Sequence, residues 1–125
     1  MKFIVVEDGL ASNAPHIRQL QALNMSYILG AKPKDHTYLF DWMENSPQTQ
    51  TYQTQDEDGT IHRYRYNNQV PLNEANFNLE VNVLIYEEIS SKGKKKTFSW
   101  VTDIPLSEQT ITLVMKGGRA RWLRG

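Results

Sequence analysis

Apolar residues gather in short runs toward both ends of the chain and alternate with polar ones through its middle. Phe3 to Val6 are four consecutive apolar, largely β-branched residues. That is the pattern of a strand covered on both faces, and such strands sit inside sheets flanked by helices. The run stops on Glu7, Asp8 and Gly9. A helix follows: Ser12 or Asn13 can act as N-cap, Pro15 falls in the first turn where its missing N–H costs nothing, and Ala14, Ile17, Leu20 and Leu23 keep to one side. "MSYILG", residues 25–30, reads as a second short strand closed by Gly30. Strand, helix and strand at this spacing form a βαβ unit, which predicts parallel, neighbouring strands.

After the loop "AKPKDH", residues 37–44 place Leu39, Trp42 and Met43 at helical spacing, which predicts a short helix with both tryptophans of the region's pattern, Trp42 and the later Trp100, in the core. From Asn45 the chain turns polar and rich in Thr, Gln and Tyr. Asp58-Gly59 stands between two arms that favour extended structure, a hairpin signal. Phe77, Leu79, Val81, Val83 and Ile85 then alternate with Asn78, Glu80, Asn82 and Leu84, the period of a strand with one buried and one largely wet face. "SSKGKKK" supplies a turn, and residues 97–103 return as a strand with Phe98 and Trp100 on one side. Ser107 is a candidate cap for a last helix with an Ile111, Val114, Met115 stripe, which Gly117-Gly118 is expected to break or bend. The predicted class is α/β: residues 1–45 and 104–125 form an α/β sheet core, and residues 46–103 a mostly antiparallel, β-rich insertion.

Composition narrows the picture without deciding it. The 125 residues suffice for one core. Lys plus Arg and Asp plus Glu both number 14, so overall charge argues neither for nor against an anionic partner. Cysteine is absent, which removes disulfides, thiolate metal sites and thiol nucleophiles. No apolar stretch approaches the roughly 18 residues of a membrane span, and no basic-then-apolar leader opens the chain, so the expectation is a cytoplasmic protein without a membrane partner.

The chemistry of the first strand's end is the sharpest local feature. In open α/β sheets the carboxyl ends of strands gather ligands and catalytic groups. Asp8 stands there on a short side chain that suits a hard cation such as Mg²⁺, and Gly9 lets the chain turn away without crowding it. The tripeptide is also what a plain polar turn looks like, and one carboxylate does not make a metal site.

The longer string "VEDGLASNAPHIRQLQALNMSYILGAKPKDHTYLFDW" resembles the DDE-type transposases of bacterial insertion sequences, and further stretches match in order: "VPLN", "NLEVNVLIYEE", "FSWVTDIPLS" and "GGRARW". The resemblance spans nearly the whole chain. It implies a ribonuclease-H-like catalytic domain with a β-rich insertion between the second and third acidic residues, and Mg²⁺-dependent cleavage and joining of DNA. In that chemistry two Mg²⁺ ions about 3.5–4 Å apart activate the attacking oxygen and steady the leaving one. By resemblance Asp8 is the second of three metal-binding, catalytic carboxylates, Glu7 is not one, and Arg119 and Arg121 meet DNA phosphates.

The chain also departs from the family's pattern. A Glu is expected four residues after the phosphate-holding Arg, and the position four after Arg121 is Gly125. The first Asp is expected on a strand upstream of residue 3. The resemblance therefore implies the middle of a transposase catalytic domain, inert by itself and holding Mg²⁺ weakly. It further implies a sheet whose flank, Phe3–Val6 and Met25–Gly30, is left open, and hence a marginally stable or aggregation-prone product.

Two other functions stay open. One is a stand-alone nucleic-acid-binding or interaction module using the β block and the basic end. The other is a small metal-dependent nuclease with Asp8, Asp35 and Asp103 as ligands, Asp103 also ending a strand. Lys92, Lys94, Lys95 and Lys96 fit phosphate contacts or a solvated turn; Arg124 lies past the match. Tyr64 and Tyr66, interleaved with Arg63 and Arg65, fit base stacking or the cover of a sheet face. His16, His36 and His62 lack zinc-site spacing, with His16 expected near the surface, and Trp122 is a core residue of the parent domain in this reading.

Overall fold

The runs and alternations of the sequence become six strands of one sheet and three helices, in a computed structural model that describes residues 3–9 and 12–124, with side chains through residue 120. In chain order they are β1 (Ile4–Glu7), α1 (Ala14–Ala22), β2 (Ser26–Gly30), a 3₁₀ turn (Pro33–Asp35) and α2 (Thr37–Asn45). Then come β3 (Gln50–Gln55), β4 (Ile61–Pro71), β5 (Glu80–Ile89), β6 (Lys95–Thr102) and α3 (Ile111–Arg124). The sheet order is β1-β2-β6-β5-β4-β3, with β1 and β2 parallel and every other pair antiparallel. The antiparallel strands thus continue the sheet of the βαβ unit through the β2–β6 pair. No helix among the described residues is long and apolar enough to cross a membrane.

Local signals explain the elements. Asn13, not Ser12, caps α1: its side chain accepts from the His16 N–H, with Pro15 in the first turn. The two hairpins share one turn geometry. Asp56 accepts from Gly59 N–H and donates to Thr60 C=O; Ser90 accepts from Gly93 N–H and donates to Lys94 C=O. Gly59 and Gly93 take φ of +92° and +85°, the left-handed position this turn requires.

Both sheet faces are covered. Ala14, Ile17 and Leu20 of α1 and Leu39 and Met43 of α2 pack on Tyr27, Leu29, Val81, Val83, Ile85 and Val101. On the reverse face Ile111, Val114 and Met115 of α3 pack on Ile28, Leu84, Tyr86 and Trp100, with Tyr64 and Tyr66 in the same cluster. This overturns the expected wet face of β5: Val81 to Tyr86 are all buried, because α3 lies over the side that alternation alone assigns to solvent. Asn82 is tolerated there because it accepts from Gln69 N–H at 2.9 Å and donates to Ile104 C=O at 2.9 Å. The same strand begins at Glu80, so Phe77 sits in the preceding turn and is 57% exposed.

Three further expectations are corrected. Trp42 lies at the surface, 37% exposed, stacking edge-on to Phe77 with ring centroids 6.0 Å apart, whereas Trp100 is buried as expected. α3 runs unbroken through Gly117-Gly118, since those glycines admit neighbouring side chains where a break was expected. β1 is an edge strand with Phe3 and Ile4 exposed, which agrees with the expected open flank but not with the strand covered on both faces that its apolar run predicts, while β2, also expected on that flank, is paired on both sides.

Candidate functional site

The carboxyl ends of the parallel strands β1 and β2 carry one cluster of polar side chains. Glu7 ends β1 and accepts from His16 Nε2 at 2.8 Å, which ties the strand to the first turn of α1. Asp8 follows, exposed, beyond the last paired residue. The backbone at Asp8 and Gly9 crosses close over Gly30 at the end of β2. A Cβ on Gly30 would meet Gly9 N at 3.1 Å and Asp8 C at 3.4 Å, so a small residue there sets the height at which Asp8 leaves the sheet.

Ser12 and His36 complete this edge. The buried Ser12 hydroxyl donates to Gly9 C=O at 2.9 Å, which leaves it to accept from His36 Nε2 at 2.9 Å. That arrangement fixes His36 with its hydrogen on Nε2, so the pair braces the loop; a base poised to activate the serine would need the opposite polarity. Burial lowers the His36 pKa, against the opposing field of Asp35, so the neutral ring is favoured.

The structure separates the acids that a nuclease reading would join. Asp35 lies in the 3₁₀ turn after β2, but Asp103 follows β6, which runs antiparallel to β2, and so reaches its opposite end. There Asp103 accepts from Tyr27 N–H at 3.0 Å and Ser26 Oγ at 3.2 Å. Asp8 and Asp103 therefore lie at opposite ends of the strands, and among the described residues no three His, Asp or Glu side chains converge on one point. Asp8 supplies one carboxylate of the kind Mg²⁺ takes, which does not amount to the donor set of a two-ion centre.

Arg119 sits on the α3 face, away from that edge. Its guanidinium donates to Glu88 Oε2 at 2.6 Å and lies over the Phe98 ring at 4.7 Å from the centroid. Glu88 also accepts from Tyr86 OH at 2.9 Å; the phenol in turn accepts from His62 Nδ1 at 2.7 Å, while His62 Nε2 faces Asp56 at 2.8 Å. Burial first, and then the bond to Glu88, push the Tyr86 pKa up and keep it a donor. An open groove of about 280 Å³ borders this chain of contacts, lined by His62, Tyr86, Glu88, Met115, Lys116 and Arg119.

To hold a DNA phosphate, Arg119 would have to share its guanidinium with Glu88. The Arg121 side chain, like those of Trp122 and Arg124, lies outside the described side chains. Lys95 pairs with Glu87 at 3.1 Å, while Lys92 and Lys94 of the β5–β6 turn and Lys96 of β6 are exposed. Tyr64 and Tyr66 are buried beneath the α3 side of the sheet and cover its face. The polar chain through Tyr86 and Glu88 escaped sequence reasoning. Its available signal was the i, i+2 spacing of Tyr86 and Glu88, but the pairing of Glu88 with His62 across the ladder depends on register. In comparisons with known proteins, no family model and no curated protein matches the chain.

Proposed function

We propose that the chain is the central part of a DDE transposase catalytic domain, ribonuclease-H-like in fold, and that residues 3–124 alone do not cleave DNA. The observation that carries the reading is the position of Asp8. It leaves β1 at the carboxyl edge of a parallel pair, and β1 is an edge strand with Phe3 and Ile4 exposed. A strand bearing another carboxylate could pair on that open side and bring its acid beside Asp8. The antiparallel strands between β2 and α3 fit the β-rich insertion of such a domain, and Asp8 would provide one of its Mg²⁺ ligands. Arg119 and Arg121 would then face DNA from α3 once Glu88 yields its partner. A cytoplasmic setting accords with this reading.

The experiment has two arms. Mn²⁺, a paramagnetic stand-in for Mg²⁺, is titrated into the ¹⁵N-labelled chain: broadening centred on Gly9 and Gly30, lost in Asp8→Asn, is expected. Broadening spread over the surface, or unchanged in the variant, would overturn the metal role. Sequencing the surrounding genomic DNA is expected to show reading frames for an Asp-bearing strand on one side and a Glu-bearing helix on the other. Unrelated flanks would favour the interaction module instead.

A further inference from the structure

The far edge of the sheet, on the opposite side from β1, is β3, with the sequence "QTYQTQ". Its six residues pair with β4 in unbroken register from Gln50↔Tyr66 to Gln55↔Ile61. The hydrogen bond from Asp56 N–H to Thr60 C=O fixes which residues face β4. Counting back in twos, Thr54, Tyr52 and Gln50 turn their backbone groups inward, and Gln55, Gln53 and Thr51 turn theirs outward. Among the described residues no strand pairs with those outward groups.

Edges of this kind are usually blunted by a charge, a proline or a bulge. β3 has none of the three. It is flat in register and uncharged, and five of its six residues are exposed. By contrast, β1 offers four residues and ends against Glu7 and Asp8, which would repel an antiparallel copy less than a parallel one but still place acids at both rims.

We propose that the β3 edge is a self-association surface: a second copy of this chain adds its own β3 antiparallel, about a two-fold axis at Gln53, continuing the sheet across both molecules. An axis at Gln53 is the one that uses all three outward residues. Gln53 then exchanges both backbone bonds with its symmetry mate, and Thr51 does so with Gln55 of the other copy. The side chains suit that register. Tyr52, which already packs on Tyr64 at 6.2 Å between ring centroids, stands opposite Thr54 on the α3 face. On the reverse face Gln53 meets Gln53; its Oε1 is held by Arg63 Nε at 3.1 Å, which presents the amide N–H₂ outward.

Charge selects the direction. The turn after β3 carries Asp56, Glu57 and Asp58. An antiparallel pair sets each acidic turn beside the uncharged Ser46–Thr49 approach of the other copy, whereas a parallel pair would set the two acidic turns side by side. Once the edges meet, both β3 strands are used, so the assembly closes as a dimer.

Sedimentation velocity of the whole chain over a concentration series tests this, with hydrogen exchange read at the Thr51, Gln53 and Gln55 amides. The expected result is growth toward twice the 14.5 kDa chain mass, with exchange at those three amides slowing in step. Gln53→Pro removes the outward N–H together with the side-chain bond to Arg63, and Gln53→Lys sets two ammonium groups against each other on the axis. Both are expected to remain at the single-chain mass with unchanged far-UV circular dichroism and a Tm that no longer rises with concentration. Ile4→Lys, on the other edge, is expected to leave the dimer intact. A wild-type chain that stays single at every concentration would overturn the proposal. So would a dimer that survives both Gln53 variants, one that is lost in Ile4→Lys, or growth into open-ended polymers.

Discussion

Gly118 lies flat against the indole of Trp100, so close that a Cβ added to Gly118 would fall 2.4 Å from both Nε1 and Cε2 of the ring. The contact joins the middle of α3 to β6 and explains why a Gly-Gly pair, ordinarily a helix breaker, sits inside an unbroken helix. Alanine in a helix interior normally gains about 0.5–1 kcal/mol over glycine. Here overpacking should outweigh that gain.

Gly118→Ala is therefore expected to destabilise the protein by about 1–3 kcal/mol, the usual range for overpacking. Gly117→Ala serves as the internal control, because its Cβ would meet only Ile28 Cδ1, at 3.1 Å, the movable end of a side chain. Urea denaturation of the two variants should rank Gly118→Ala well below Gly117→Ala. Equal stabilities would mean that Trp100 can move aside at no cost.

Asn82 holds two backbone groups with its side chain. It accepts from Gln69 N–H, where the chain takes φ of +59° beside a register shift in the β4–β5 pairing, and it donates to Ile104 C=O on the approach to α3. Replacement by Ala removes both bonds, one to the exposed Gln69 and one to the half-buried Ile104. A loss of about 1–2 kcal/mol is expected, the net worth of two part-buried hydrogen bonds. Chemical denaturation at neutral pH measures it; a change near zero would imply that water replaces the side chain.

Tyr27 presents the opposite case. It is fully buried in β2, and its hydroxyl has no hydrogen-bond partner among the described residues. Burial, and secondarily the charge of Asp103, push its pKa far up, so the group stays a neutral phenol. Tyr27→Phe removes an unpaired polar atom while keeping the ring, and should raise Tm or leave it unchanged. A clear drop in Tm would show that the hydroxyl has a bonding partner in solution.

The Glu88 contacts predict a pH dependence with a definite sign. Burial works to raise the Glu88 pKa, but the hydrogen bonds from Tyr86 and Arg119, together with the charge of Arg119, outweigh it and hold the carboxyl below its ordinary range. The unfolded chain, with a Glu pKa of about 4.3, therefore takes up the proton first as pH falls. The stabilisation is fully present above that value and is lost as pH drops through the lower, folded value. Urea midpoints of wild type and Glu88→Gln should differ at neutral pH and converge in acid. A constant difference across that range would place the effect in packing, with the charge irrelevant.

How much of this was legible beforehand differs from element to element. The helix capped by Asn13, the parallel β1–β2 pair and both glycine-containing hairpins were readable because each depends on neighbours within a few residues or on one short crossover. The position of Asp8 at a strand end was readable for the same reason. The pairing of Glu88 with His62 and Arg119 was not, since it needs the register of β4 against β5 and the placement of α3 together.

Sequence alone determined the kind and order of the elements, since periodicity and turn chemistry act over a few residues of chain. Tertiary structure decided which faces are dry, which strands are edges and which acids lie apart. Leu84 is buried because a helix from residues 111–124 crosses it, and Asp103 is remote from Asp8 because β6 runs against β2. These outcomes follow from contacts between segments far apart in the chain, whose geometry no local pattern encodes.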